Sequence, residues 1–359
     1  MILFFGIIGC QQKNQNQPSK KINWISADYA KLFKIGIIES DTLLKIFFVN
    51  GKEIATYHLG NNPNSFPDAI HINHKNKLAV SSSIFARFLT ELDLGDSIVA
   101  IDNLNFLHSS IKSQLQNPIE IQHSGELQLE TLINCKPDVF FVYTLNAEGI
   151  PAFTRLQKKN IPVIYIQNHQ ENHPLARAEW IKVFGLITDR LERANKIFKQ
   201  VDSTYSSLLA KQNTQKSRTM INAPYSGNWM VPNRNNYFSK LMVDANLQCS
   251  WQEDKIKQEQ LSYTISLESA MNYLLMSDIW INVGSYKNIE SLIKSESRIQ
   301  RILQANTDLR IFQNNKQQEL SGANSYWDLG STHPEILLKD LININLGKTD
   351  SLHFYIQIR

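Results

Sequence analysis

A segment that occurs twice constrains this chain more than any other feature. Leu129-Glu130 is followed by Lys136-Pro137-Asp138-Val139-Phe140-Phe141-Val142, and Leu267-Glu268 by Ser277-Asp278-Ile279-Trp280-Ile281. In each copy the Leu-Glu pair opens a short amphipathic stretch, with Leu129, Leu132 and Ile133 in one and Leu267, Ala270 and Leu274 in the other. An Asp then introduces an apolar, β-favouring run, so each copy predicts helix, turn and buried parallel strand. Glu130 and Glu268 stand 138 positions apart in a chain of 359 residues, at corresponding points of two similar halves. The expectation is a bilobal protein with one ligand cleft.

Both halves are long enough to bury a core, and 42% hydrophobic with 19% charged residues is a soluble globular balance for about two domains. The net charge of +4 is small and is not gathered into basic runs, which sets nucleic acid aside as a partner. Beyond the N-terminal region only Cys135 and Cys249 remain, one in each half. Two buried free thiols fit better than a bridge that would lock lobes meant to move, and zinc-type spacing is missing.

Residues 1–8 are apolar, Gly9-Cys10 follows, and 11–21 is a polar spacer rich in Gln, Asn and Lys. Ile7-Ile8-Gly9-Cys10 resembles a bacterial lipoprotein signal, with Cys10 as the lipidated residue and 11–21 as a tether. The apolar stretch is short and no positive residue precedes it, so the true start is expected upstream of Met1. The alternative is a hydrophobic N-terminus with an incidental Cys. No later run approaches the roughly 20 apolar residues of a spanning helix.

Residues 31–38, 43–49 and 53–59 alternate apolar and polar side chains around an Asn50-Gly51 turn, which predicts an antiparallel β-meander within 22–60. From 78 onward strands alternate with helices. The first lobe, 61–173, is expected to carry strands at 78–80, 98–101, 139–143 and 163–166 and helices at 84–92, 126–134 and 152–159. Connecting helices fill 174–211, the second opened by a capping box from Asp189 to Glu192. Its apolar positions Leu191, Ala194, Ile197, Phe198, Val201, Tyr205 and Leu208 keep helical spacing, and about twenty residues span roughly 30 Å. The second lobe, 212–359, has strands at 219–223, 279–283 and 310–312 and helices at 237–245, 267–275, 289–305 and 334–344. The predicted class is α/β: two Rossmann-like lobes joined by one long interlobe helix, with an N-terminal antiparallel β-meander.

With these elements placed, the chain resembles the class III periplasmic binding proteins that serve importers of iron-siderophores, haem and cobalamin. The resemblance rests on Glu130, Lys136-Pro137-Asp138, the interlobe helix, Glu268, His173-Pro174-Leu175-Ala176-Arg177-Ala178-Glu179-Trp180-Ile181-Lys182 and His333-Pro334-Glu335-Ile336-Leu337-Leu338-Lys339-Asp340-Leu341. It covers about 78–346 and is similar to the longer lipoprotein forms of Bacteroidota-like bacteria. The resemblance implies a monomeric, lipid-anchored solute-binding protein of the periplasm or cell envelope. It would deliver a metal chelate to the permease and ATPase subunits of an ABC importer, with no cofactor and no catalysis. It also implies that Glu130 and Glu268 dock on permease arginines. The alternative is a helix-opening carboxylate that favours the positive end of the helix dipole.

In such a fold the cleft is lined by loops at strand carboxyl ends. These are 81–83, 103–106, 144–148 and 168 in the first lobe, and 225–229, 284–286 and 325–327 in the second. The candidate ligand contacts are Ser82, Asn105, Thr144, Asn168, Trp229, Tyr286 and Trp327, the three aromatics serving as flat walls for a planar or macrocyclic ligand. Few cations stand in these loops, which favours a corrinoid or neutral hydroxamate chelate over an anionic catecholate. A haem would want an axial ligand such as Tyr143, Tyr286 or His169. Three other functions compete with this one. An enzyme lacks support, since there is no phosphate-cradling glycine loop, nucleophile elbow or His-Glu-x-x-His. A bare metal-ion binder would use His71 with His74, or His169 with His173, but no acidic or Cys cluster accompanies them. An adhesion or scaffold role would need no cleft.

Overall fold

A computed structural model describes residues 22–73, 75–123, 125–144, 153–210, 215–225, 227–251, 261–286 and 288–358. Cys10 and the rest of residues 1–21, His74, positions 145–148 and Ser226 lie outside them.

The chain begins with a sheet of β1 (Asn23–Ser26), β2 (Phe33–Ile38), β3 (Asp41–Phe47), β4 (Glu53–Leu59) and β5 (Ile70–His71), in that spatial order. The first four pair antiparallel and β5 adds parallel to β4, a strand that the alternation did not predict. Five successive backbone N–H groups, those of residues 28–32, go to two carboxylates, one at the end of the first lobe and one in the helix that follows it. Glu179 accepts from Asp28, Tyr29 and Ala30, each at 2.8 Å, and Glu171 from Lys31 and Leu32 at 3.0 Å. This sheet is therefore hydrogen-bonded to the first lobe.

That lobe runs β6 (Leu78–Val80), α1 (Ser83–Glu91), β7 (Ile98–Ile101), α2 (Ser109–Lys112), β8 (Ile119–Glu120), a small hairpin of β9 (Gln122–His123) and β10 (Glu126–Leu127), α3 (Leu129–Asn134), β11 (Val139–Val142), α4 (Thr154–Gln157) and β12 (Val163–Tyr165). Its parallel sheet has the order β12-β11-β6-β7-β8. The chain starts in the middle strand, moves outward to β8 and returns to β11, so the strand order reverses between β6 and β11. A crevice opens at the carboxyl ends of the strands at such a point.

The connector is α5 (Pro174–Glu179), α6 (Ile181–Ile187) and α7 (Leu191–Ala210). Pro174 takes the first-turn position, where its missing N–H costs nothing, and His173 caps the helix by accepting the Leu175 N–H at 3.1 Å. Phe184 of α6 stacks on Phe88 of α1 and Phe141 of β11 at 5.0 and 4.7 Å, seating the connector on the first lobe. The capping box expected at Asp189 does not form. Asp189 sits at φ 58° just beyond α6 and binds Lys75 at 2.8 Å, so it closes one helix instead of opening the next. The 20-residue α7 buries Ala194, Phe198, Val201 and Tyr205 along one stripe, and the Tyr205 hydroxyl donates to Asp244 of the second lobe at 2.7 Å.

The second lobe contains β13 (Ser217–Ile221), β14 (Trp229–Pro232), α8 (Tyr237–Asp244), β15 (Leu247–Cys249), β16 (Ser262–Ile265), α9 (Leu267–Leu275), β17 (Ile279–Ile281), α10 (Ile289–Ser295), α11 (Arg298–Ala305), β18 (Arg310–Gln313), α12 (Ser325–Thr332), α13 (Pro334–Asn345) and β19 (Ile356–Ile358). Its main sheet, β15-β13-β17-β18-β19, is parallel except for β19 and reverses order between β13 and β17. β14 and β16 form a separate antiparallel pair. The helix predicted over 289–305 breaks at Glu296, whose backbone is extended. Cys135 and Cys249 form no disulfide and are half-buried, not fully buried as expected.

Candidate functional site

The strand ends of the first lobe collect buried polar atoms that lack partners. Among the described residues, Ser81 Oγ after β6, Gln167 Oε1, Asn168 Nδ2 and both ring nitrogens of His169 after β12, and Nε of Arg177 on α5 make no hydrogen bond. Native folds leave few such atoms unsatisfied, so each of these calls for an ordered water, an ion or a ligand. Gln167 fixes the loop by donating from Nε2 to the Thr144 carbonyl at 3.0 Å, which ties the ends of β11 and β12 together. Tyr143, 47% exposed, meets His169 edge-on at 5.5 Å. Burial, reinforced by the nearby charge of Arg177, lowers the His169 pKa to about 4, so its imidazole is neutral at pH 7.

The guanidinium carbon of Arg177 lies 3.9 Å from the centre of the Tyr237 ring. Tyr237 opens α8, so the contact joins the lobes. Asn282, after β17, donates to the Tyr326 hydroxyl at 3.2 Å and accepts from Tyr355 at 2.9 Å, giving the second lobe a wall of buried phenols. The lobes are also clasped through α1. Arg87 donates to Asp328 of α12 at 2.8 Å, and His333 bridges Glu91 at 3.0 Å and Glu335 at 2.9 Å. Burial opposes the charge of His333, but the two carboxylates overcome it and raise the pKa to about 10. At the rim, the Ser109 N–H donates to Glu319 at 2.8 Å.

The predicted contacts divide. Asn168 and Thr144 are buried where the ends of β11 and β12 meet. Ser82 is half-buried, and its hydroxyl caps α1 by accepting from Ile84 at 3.2 Å. Asn105 is exposed in the loop after β7. Tyr286 is half-buried, its backbone held at both N–H and carbonyl by Gln313. Trp327 is 60% exposed, on the first turn of α12 where a loop was expected. Trp229 contradicts the prediction. It lies in β14 with no exposed surface, its Nε1 donates to the Ile221 carbonyl at 2.8 Å, and its ring packs on Trp280 at 5.7 Å. The expected loop over 225–229 is a tight turn in which Tyr225 pairs with Asn228, and it hands Trp229 to the core.

Arg177 escaped sequence reasoning because it stands mid-helix in an apolar segment, while cations were sought in loops. Glu130 and Glu268 both occupy first turns, of α3 and α9, and both are exposed. Glu130 pairs with Arg155, and Glu268 makes no ion pair among the described residues. Two surface concavities lie away from the strand-end face. One of about 640 Å³ runs beside edge strand β15, lined by Arg218, Pro232 and Gln248, and one of about 650 Å³ sits between β5 and the 157–162 turn. We place the candidate site at the strand ends because the unpartnered polar atoms gather there.

The family model described as "Periplasmic binding protein" matches residues 78–304, and the chain belongs to that family. An uncharacterised lipoprotein of Methanocaldococcus jannaschii is 22% identical over 246 residues, 67% of this chain. The chain spans 56% of the length of that relative and 30% of a second protein from the same organism. Among solved structures, a possible iron-binding (periplasmic solute-binding) protein of Staphylococcus epidermidis shares the fold at a TM-score of 0.56 and 17% identity, over 76% of this chain and 98% of that one. The vitamin B12 binding protein of Vibrio cholerae aligns at 0.51 and 11%, over 77% and 98%, and its haem binding protein at 0.53 and 14%, over 73% and 98%.

Proposed function

We propose that this chain is the solute-binding lipoprotein of an ABC importer, holding a metal chelate between its lobes and delivering it to the permease. The observation that carries this reading is the group of buried polar atoms without hydrogen-bond partners after β6 and β12, on Ser81, Gln167, Asn168 and His169, beside which Arg177 of α5 reaches Tyr237 of the second lobe. Iron, vitamin B12 and haem in the descriptions of its structural neighbours support a chelate as cargo. Cys10 supplies the lipid anchor, and the name of the archaeal relative supports it. Glu130 and Glu268 provide one negative charge on each lobe, an arrangement that sets orientation and partner choice more than affinity. The single helix α7 bends little, so lobe movement is limited.

The test is a titration of the purified chain followed by tryptophan fluorescence, with cyanocobalamin, haem, and one neutral and one anionic ferric siderophore. Submicromolar binding of one of them is expected. Silence from all four removes the chelate reading and leaves the bilobal fold.

A further inference from the structure

A pair of histidines in the N-terminal sheet stands apart from the strand-end face. His58 of β4 and His71 of β5 are register partners, and their Nδ1 atoms lie 3.1 Å apart. The other nitrogen of each ring meets an oxygen: His58 Nε2 is 3.1 Å from Asp41 Oδ1, and His71 Nε2 contacts Asn73 Oδ1. A carboxylate or amide oxygen only accepts, so each imidazole in its neutral form carries its proton on Nε2 and turns a bare Nδ1 lone pair toward the other. Two lone pairs at that distance repel unless a cation, either a proton or a metal ion, stands between them. His58 has no exposed surface and Phe66 packs on its ring at 4.9 Å. A Cβ at position 60 would strike both Asp41 Oδ1 and His58 Nε2, so this contact needs Gly60 beside it.

We propose that His58 and His71 bind a divalent ion of the zinc class through their Nδ1 atoms and that the ion clips β5 to β4. Imidazole nitrogens at about 2.0–2.1 Å from a tetrahedral zinc stand about 3.3 Å from each other, close to the 3.1 Å seen, whereas a linear two-coordinate ion would need about 4 Å. Asp41 and Asn73 supply the outer contacts that fix the tautomer of metal-binding imidazoles and raise their basicity. Among the described residues no group of three or more His, Cys, Asp or Glu side chains offers a metal position, so water completes the coordination. The half-buried His71 lines the concavity beside β5, which gives the ion and those waters a route from solvent. β5 pairs with β4 through two residues only, so an ion joining the second of them to β4 closes the 59–70 connection. The site is separate from the interlobe junction and does not rest on the chelate reading.

The test adds Zn2+ to the full chain after its metals have been stripped with a chelator, and reads equilibrium dialysis, thermal unfolding and nitrogen NMR of the imidazoles. Zinc should bind and raise the thermal midpoint, as a ligand of the folded state does, and the Nδ1 resonances of two histidines should move while their Nε2 protons stay in place. His71→Ala should lose the zinc-dependent rise in midpoint. Asp41→Asn should weaken zinc by about 10- to 100-fold, the usual cost of losing an outer contact. The NMR comparison uses the unaltered chain and needs no variant to fold. The proposal is overturned if zinc leaves the midpoint and both imidazoles unchanged, if a proton shared between the two Nδ1 atoms persists in excess zinc, or if His71→Ala responds to zinc as the unaltered chain does.

Discussion

Replacing Glu179 should release residues 28–30, one of the attachments of the N-terminal sheet, from α5. Its carboxylate has no exposed surface and accepts four hydrogen bonds, from the N–H groups of Asp28, Tyr29 and Ala30 and from Lys182 Nζ at 2.7 Å. At about 1.5–3 kcal/mol per charged hydrogen bond the sum would exceed 6 kcal/mol, but the 28–30 loop can recover water once released, which caps the loss. Removing one partner of a buried ion pair costs about 3–5 kcal/mol, and we expect Glu179→Ala to fall in that range. Glu179→Gln keeps the shape and one acceptor oxygen but turns an NH2 toward an N–H donor, so about 2–3 kcal/mol is expected. Urea unfolding gives the totals, and hydrogen exchange should show the amides of residues 28–30 losing protection before the rest of the lobe. A loss below about 1 kcal/mol for Glu179→Ala, with those amides still protected, would refute the claim that this carboxylate fastens the sheet.

Three further outcomes follow from named contacts. The folded-state pKa of His333 lies above its ordinary value, so the stability it contributes is full below about pH 6.5 and is lost as pH rises toward about 10. Urea midpoints across that window should fall for the native chain and flatten in His333→Gln, and equal slopes would contradict the clasp. Trp229→Ala should cost about 3–5 kcal/mol of stability as a core truncation, while ligand affinity in the folded fraction stays within a few-fold; a selective loss of affinity would return Trp229 to the cleft. Reversing the charge of both Glu130 and Glu268 should abolish uptake by the intact importer and leave ligand affinity unchanged, so weakened ligand binding would count against a docking role.

The repeated Leu-Glu, Asp and strand pattern made the architecture legible, because helix period, turn and apolar run agree locally in both copies. The interlobe helix was legible for the same reason: Ala194, Phe198, Val201 and Tyr205 hold a stripe that no strand could present. Elements set by tertiary pairing were not. β5 is two residues long and is defined by its neighbour β4, and Asp189 is decided by the left-handed closure of α6, against the capping pattern. The site was half legible. Thr144 and Asn168 follow from the rule that ligands collect at strand ends, but Trp229 and Trp327 look alike in sequence, each beside small polar residues. Only the β14–β16 pairing buries the first, and only the α12 helix presents the second. Arg177 was hidden because it stands in an apolar helix, and its contact with Tyr237 across the lobes shows only in three dimensions.

The account stands or falls on where the ligand sits. Hydrogen exchange of the full chain, with and without the tightest-binding chelate, reads this directly. The account predicts simultaneous protection of residues 166–177 in the first lobe and 282–286 with 325–328 in the second. Protection confined to one lobe, or appearing instead at the β13–β15 edge around Arg218 and Gln248, would contradict a ligand held between the lobes.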